Sequence, residues 1–377
     1  MKNQIILLSG FLLISNLQFK AQKITYCKSE NYSLNDNNDF YKNELIQYVK
    51  NNNLPGAIMA IKTAEKPLWI GAEGKKNLEN DNEMEVCTPF RIGSITKVFI
   101  AALALKLQEE KKINLDNKIT QYLPELKIQI PQANSITLRM LLNHSSGIID
   151  PKNDDSEYLD FITNFPDKVD SMTVDDRLKK YVYGKSLQFS PGTASHYSNS
   201  GYWLIGKIIE RVSKKSMQAL LVEKIFGPLK MNDSYYDERL NPKVSQGYHL
   251  MEGNLINVTK WDKADGDGDP SSGMVSTAEN LFKFGESLFS GKIINKKSVQ
   301  EMLQTLKLSN CQDKECDYGL GIENWNIGNV KGYGKNGSSV GYEANWIYLP
   351  SEKTSIITFT NKGGGTDKNF IERIIKK

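Results

Sequence analysis

Strand patterns near both ends of the chain, with helical patterns between them, predict an α+β fold. One sheet is assembled from both termini and is interrupted by a mainly helical insertion. Two observations carry this expectation. Short apolar runs of strand length fall at 57–61, 67–71, 346–349 and 354–360. Between them, stretches such as 94–105 and 199–212 are longer and repeat their apolar residues at helical spacing. The expected division is a sheet lobe of about 39–93 and 275–377 and a helical lobe of about 94–274, within a single domain spanning 22–377.

The first residues stand apart. Lys2 is followed by an apolar run at 5–14, too short for a comfortable transmembrane helix, which fits a secretory signal peptide over residues 1–21 cut near Ala21-Gln22. An uncleaved N-terminal anchor is the alternative. Residues 28–38 form a polar leading segment. Helical spacing over 39–50 sets Phe40, Leu45, Ile46 and Val49 on one side. The runs at 57–61 and 67–71 read as a strand pair, and a helix with few polar residues follows Gly93. A capped helix over 135–144 stops at Ser146-Gly147. The helix over 199–212 packs through Leu204, Ile205, Ile208, Ile209 and Val212, and 217–225 continues in that style. Ser276-Thr277-Ala278-Glu279 has capping-box spacing and opens a helix toward Phe289. Gly334 to Gly341 reads as a glycine-rich turn region. Two strands joined by Pro350-Ser351-Glu352-Lys353 follow, and the residues from Asn369 are helical by pattern.

Hydrophobic content of 39% and charged content of 24% fit a soluble globular protein. Removing residues 1–21 takes away Lys2 and Lys20 and lowers the formal charge from +4 to about +2. With that balance and no basic stripe, nucleic acid is not an expected partner. After signal removal no stable membrane insertion is expected. Cys27, Cys87, Cys311 and Cys316 lack zinc-site spacing. In an exported protein Cys311 and Cys316 can close a short loop, leaving Cys27 with Cys87; three connectivities are open, as is a free buried thiol at Cys87. Asp265-Gly266-Asp267-Gly268-Asp269 begins like a calcium loop, but Pro270 and Ser276 depart from that pattern, so a solvated acidic loop is expected. No metal or organic cofactor is otherwise suggested.

Three stretches carry chemistry. In Ser94-Ile95-Thr96-Lys97 a spacing of three sets serine and lysine on one helix face. Apolar surroundings disfavour an ammonium, so Lys97 can take a proton from the Ser94 hydroxyl, a weak nucleophile unaided. Read alone, the tetrapeptide is better taken as a helix N-cap serine followed by a solvated lysine. Tyr197-Ser198-Asn199 follows a Pro-Gly turn and precedes a helix, which puts Tyr197 on a loop. Nearby cations would favour its phenolate, and Asn199 offers an amide to orient substrate. Lys335-Asn336-Gly337-Ser338 precedes a strand. Its lysine can hold a substrate carboxylate and lower the tyrosine's pKa, and its glycine admits a close backbone. A backbone N–H there can join that of Ser94 around an oxyanion.

In order and type these three stretches resemble the serine β-lactamase and DD-peptidase family. The Tyr-x-Asn element looks like its class C branch of DD-carboxypeptidases, class C β-lactamases, esterases and D-amino-acid peptidases. Leu141-Leu142-Asn143-His144-Ser145-Ser146-Gly147, Phe226-Gly227-Pro228-Leu229-Lys230-Met231 and Ser272-Gly273-Met274-Val275-Ser276-Thr277 fit the same branch. The resemblance implies an antiparallel sheet flanked by helices, a helical lobe, and a hydrolase of a small-molecule or peptide substrate; with the signal-peptide reading, an exported, periplasmic or secreted one is expected. It makes Ser94 the acylated nucleophile, with Lys97 and Tyr197 sharing proton transfer and the base left open between them. Asn199 would contact the substrate amide, Lys335 would support the electrostatics and Ser338 would supply the second oxyanion N–H. Asn336 stands where the family often has Thr or Ser. The expected activity is D-alanyl-D-alanine carboxypeptidase-like; a class C-like β-lactamase, an esterase or D-amino-acid peptidase, and a non-enzymatic penicillin-binding sensor are the alternatives.

Gly337-Ser338-Ser339-Val340-Gly341 also matches the Gly-x-Ser-x-Gly nucleophile elbow. That motif needs a following helix and a later histidine, whereas a strand pattern follows and His249 is the last histidine. A Ser-His-Asp site is therefore rejected, and His144 and His196 are expected in supporting roles.

Overall fold

The computed structural model describes residues 38–375, apart from 166–167, 169–171, 237–240, 267, 307–316 and 365–367. The signal-peptide segment and Cys27, Cys311 and Cys316 lie outside the described residues. Cys87 is disulfide-bonded, which sets aside the free thiol considered for it; its partner is outside the described set.

Among the described residues, seven strands form one antiparallel sheet in the order β3-β2-β1-β12-β11-β10-β9. These are β1 (Gly56–Lys62), β2 (Trp69–Asn77), β3 (Asn82–Glu83), β9 (Glu323–Ile327), β10 (Val330–Ser338), β11 (Glu343–Leu349) and β12 (Thr354–Thr360). The N-terminal and C-terminal strands meet where β1 pairs with β12, from Ala57↔Thr360 to Lys62↔Ser355. The α+β architecture with an antiparallel sheet flanked by helices is the one expected.

Alternation along β1 divides two cores. Ile58 and Ala60 face one cluster, while Ala57, Met59 and Ile61 face the other. On one side lie helices α1 (Asn38–Asn51) and α7 (Lys368–Ile375), whose Tyr48 and Phe370 rings stack at 4.0 Å. On the other lie α2 (Thr96–Glu109) and α6 (Ala278–Phe289), pinned by Phe99 and Phe284 at 3.7 Å. Almost every side chain of α2 is buried, including Thr96 and Lys97, as its nearly continuous apolar sequence requires.

The segment expected as a helical lobe, 94–274, includes α3 (Leu138–Leu142), α4 (Val174–Tyr181) and α5 (Asn199–Ser213). It also carries strands. The hairpin pairs β6 (Tyr248–Met251) with β7 (Asn254–Asn257), and β5 (Tyr235–Tyr236) joins a small sheet with β4 (Phe90–Arg91) and β8 (Met274–Ser276).

Four local expectations are corrected. The helix expected over 135–144 is only α3, because Thr137 is its cap and accepts from the Met140 N–H. The cap of α6 is Thr277, accepting from the Asn280 N–H, because Ser276 is held in β8. Gly334–Ser338, read as part of a turn region, lies within β10, paired with β11 from Tyr333↔Tyr348 to Ser338↔Glu343. Its glycines serve close packing: a Cβ on Gly334 would stand 2.0 Å from the Trp346 carbonyl oxygen. Asp269, expected in a solvated loop, is fully buried against Lys152 and Arg177.

Candidate active site

Ser94 sits in a single 3-10 turn, Gly93–Ile95, that leads into α2. Gly93 has φ +48°, and a Cβ there would lie 3.2 Å from the Gly337 carbonyl carbon, so glycine is needed for both conformation and clearance. Gly337 is needed in turn, since its Cβ would fall 2.0 Å from the Ile92 carbonyl oxygen and 3.0 Å from the Ser94 nitrogen. The two glycines let β10 press against the turn that holds Ser94, which brings Ser338 alongside it.

Lys97 occupies the first turn of α2. Its Nζ donates to Ser94 Oγ at 3.2 Å, Asn199 Oδ1 at 2.7 Å and the Ser271 carbonyl at 2.9 Å. It is 0% exposed and lies 4.7 Å from the centre of the Tyr197 ring. Burial, reinforced by the charge of Lys335, pushes its pKa well below the usual lysine value, with Asp269 and Asp150 opposing.

Tyr197 is on the expected loop, with its hydroxyl 2.7 Å from Ser94 Oγ. His144 holds that loop. Its carbonyl accepts from the His196 N–H at 3.0 Å, its Nδ1 accepts from the Ser198 N–H at 3.1 Å, and its ring lies 4.4 Å from that of Tyr197. Burial, with Lys97 and Lys335 adding to it, pushes His144 well below the ordinary imidazole range. At Tyr197 burial acts against the expected phenolate. Burial pushes the phenol well above its usual value, and the Ser94 hydrogen bond only partly offsets this.

Asn199 is the first residue of α5. The cap is Ser198, accepting from the Gly201 N–H at 3.3 Å, which leaves the Asn199 amide for other work. It bridges Lys97 to Asp150, donating to Asp150 Oδ2 at 2.9 Å. Asp150 also receives Asn153 Nδ2 at 2.6 Å, and burial raises its pKa from 3.8 to about 6. Behind it, Lys152 Nζ lies 2.7 Å and Arg177 3.6 Å from Asp269 Oδ2. Burial alone would raise Asp269, but these two cations outweigh it and hold its pKa low. Asp269 Oδ1 accepts from the Ser271 N–H at 2.6 Å, so this ion cluster fixes the loop whose carbonyl meets Lys97.

Lys335 and Asn336 come from β10. Lys335 is 2% exposed, pairs with Glu323 of β9, and donates to Asn336 Oδ1 at 3.2 Å. Its Nζ lies 5.3 Å from the centre of the Tyr197 ring. Tyr318 donates to the same Glu323 carboxylate, and its ring lies 5.9 Å from that of Tyr197.

The structure thus gathers Ser94, Lys97, Tyr197, Asn199, Lys335, Asn336, Gly337 and Ser338 around one point. Asp150, Asp269, Tyr318 and Glu323 join the site although the sequence reading assigned none of them to it. Only the acidic run around Asp269 gave a signal, and it pointed to solvent. The Gly337–Gly341 stretch runs from β10 toward β11, with no helix behind it, so the nucleophile-elbow geometry is absent there.

The chain is 28% identical over 323 residues to penicillin-binding protein 4* of Bacillus subtilis (strain 168), covering 80% of this chain and 66% of that protein. It is 28% identical over 236 residues to protein flp of Staphylococcus aureus (strain MRSA252), covering 60% of this chain and 44% of that one. The chain therefore spans less than two thirds of the length of either relative. D-amino acid amidase from Ochrobactrum anthropi SV3, solved with L-phenylalanine, superposes with TM-score 0.76 at 24% identity, over 90% of this chain and 98% of that one. The family profile named Beta-lactamase matches residues 42–376. Since that match runs from the first described helix to the last, the chain belongs to the Beta-lactamase family, a family of serine hydrolases that work through an acyl-enzyme.

Proposed function

We propose that this chain is an exported hydrolase that cleaves the amide bond following a D-configured residue through an acyl-Ser94 intermediate. That bond is common to D-alanyl-D-alanine-type peptides and D-amino acid amides. The single observation that carries the reading is the convergence of Lys97 and Tyr197 on Ser94 Oγ, at 3.2 and 2.7 Å. The penicillin-binding relative and the amidase of the same fold support the choice of bond. The apolar run at 5–14 supports export.

In this mechanism Ser94 Oγ attacks the substrate carbonyl and its proton passes to the Lys97 amine. The push of burial on Lys97 favours the unprotonated form that the step requires. The carbonyl oxygen becomes an oxyanion between the backbone N–H groups of Ser94 and Ser338. The amide of Ser94 suits this role, because the first N–H groups of a helical turn have no acceptor within it. Collapse breaks the C–N bond. The departing amine takes the Tyr197 hydroxyl proton, and the Lys97 ammonium restores it. Water then attacks acyl-Ser94 and gives a proton to Lys97; collapse breaks the bond from the acyl carbon to Ser94 Oγ, Lys97 returns the proton to that oxygen, and the acid and the free serine are released.

Intact-mass measurement after exposure to penicillin, a D-alanyl-D-alanine peptide and a small activated ester tests this reading. The wild-type chain is expected to gain the mass of an acyl group with at least one of them, or to turn it over. Ser94→Ala should show neither. A folded wild-type sample with no adduct and no turnover on all three would end the acyl-Ser94 reading.

A further inference from the structure

Lys335 is the cation expected to receive a substrate carboxylate, yet it already has one. The register Gly334↔Glu323 sets the start of β9 beside Lys335, and the two side chains form an ion pair. Glu323 is also the acceptor of the Tyr318 hydroxyl. The pair belongs to the site itself: Lys335 Nζ lies 5.3 Å from the centre of the Tyr197 ring and 5.2 Å from that of Tyr318. The Glu323 charge reaches the Tyr197 phenol, where it adds to the upward push from burial.

We propose that Glu323 is a specificity-determining residue that neutralises Lys335 and adapts the acyl-Ser94 site to substrates whose leaving group carries no carboxylate. The proposal rests on the acyl-Ser94 reading above and names its substrate class as amides, amidated peptides and esters of D-aminoacyl groups. A carboxylate entering beside Lys335 must shed its water and meet a carboxylate already in place. Like charges brought together in this way discriminate strongly against a ligand. A carboxamide avoids that conflict, because its N–H groups can donate to Glu323 while its oxygen accepts from Lys335. Asn336 points the same way. Its amide oxygen takes a hydrogen bond from Lys335 at 3.2 Å, so a second side-chain oxygen already occupies the ammonium's donors.

The test compares Nα-acetyl-D-alanyl-D-alanine with its C-terminal amide, using the full chain. The two differ only in the C-terminal group, a carboxylate in one and a carboxamide in the other, and turnover is read as release of D-alanine or D-alaninamide. Wild-type kcat/KM is expected to favour the amide by about tenfold or more. Glu323→Gln should move the ratio of kcat/KM for the free acid to that for the amide by about tenfold toward the free acid. A merely structural role for Glu323 would lower both together. Equal or better wild-type turnover of the free acid overturns the proposal, whether or not the variant folds. An unchanged ratio in a folded Glu323→Gln variant also overturns it. Turnover of neither peptide, with no mass adduct on Ser94, would instead remove the acyl-Ser94 reading on which it rests.

Discussion

Burial moves Lys97 and Tyr197 in opposite directions, and both shifts favour the uncharged group. A neutral amine and a neutral phenol suit the proposed roles of proton acceptor and proton relay. This is why the base, open between the two in the sequence, is assigned to Lys97 in the mechanism. The same burial acts on Asp150, and here it yields a stability prediction. Its carboxyl titrates at about 6 in the folded chain against an ordinary 3.8. The raised pKa gives a contribution to stability that is fully present below pH 3.8 and is lost as the pH rises through about 6. The difference corresponds to about 3 kcal/mol. Asp150→Asn removes this titration. It also carries one oxygen where the Lys152 N–H and the Asn153 and Asn199 amides converge, so it should cost stability at low pH. Urea unfolding from pH 4 to 7 should show the variant gaining about 3 kcal/mol relative to wild type across that window. Parallel curves would show that Asp150 is not the group responsible.

At the scale of elements, β10 matters most, because it approaches the Ser94 turn more closely than any side chain would permit. A Cβ on Gly337 meets Ile92 and the Ser94 nitrogen, whereas one on Gly334 meets only the neighbouring strand around Trp346 and Ile347. Gly337→Ala and Gly334→Ala should both destabilise, each by about 1–3 kcal/mol from overpacking. Only Gly337→Ala should also lower kcat, by about 10²–10³, through displacement of one oxyanion donor. Thermal melts and kcat on an activated ester separate the two effects, and equal kcat losses would contradict a special place for Gly337. Glycine enrichment usually marks a turn, which is why 334–341 was expected to be one. Here the same composition answers a need for close backbone approach, and that need exists only once β10 has met the turn. Ser94, Lys97 and Tyr197-x-Asn199 are legible for the opposite reason. Their spacing within a helix turn or a helix start is local, so the sequence places them once the three stretches are read together.

For the whole molecule, the order of strands and helices is legible in the chain, but the pairing of distant charges is not. Asp269 shows why. It follows a run of acidic and glycine residues that looks solvated, and nothing near it in sequence announces a partner. In the fold it lies between Lys152, from the short helix Pro151–Asp154, and Arg177 of α4. It thus ties two helical segments to the loop whose Ser271 carbonyl accepts from Lys97. Removing one member of a buried ion cluster leaves the others desolvated without their counter-charge, at a cost of about 3–5 kcal/mol. Asp269→Asn retains an oxygen for the Ser271 N–H but removes the charge facing both cations. Its unfolding free energy should fall by about 3–5 kcal/mol, as measured by urea titration at neutral pH. Lys97 would also lose the Asp269 charge that opposes its downward shift, so the acid limb of kcat/KM should move to lower pH. A structural role alone would leave that limb in place. Stability within about 1 kcal/mol of wild type, together with an unmoved pH profile, would show that Asp269 neither holds these segments together nor reaches Lys97.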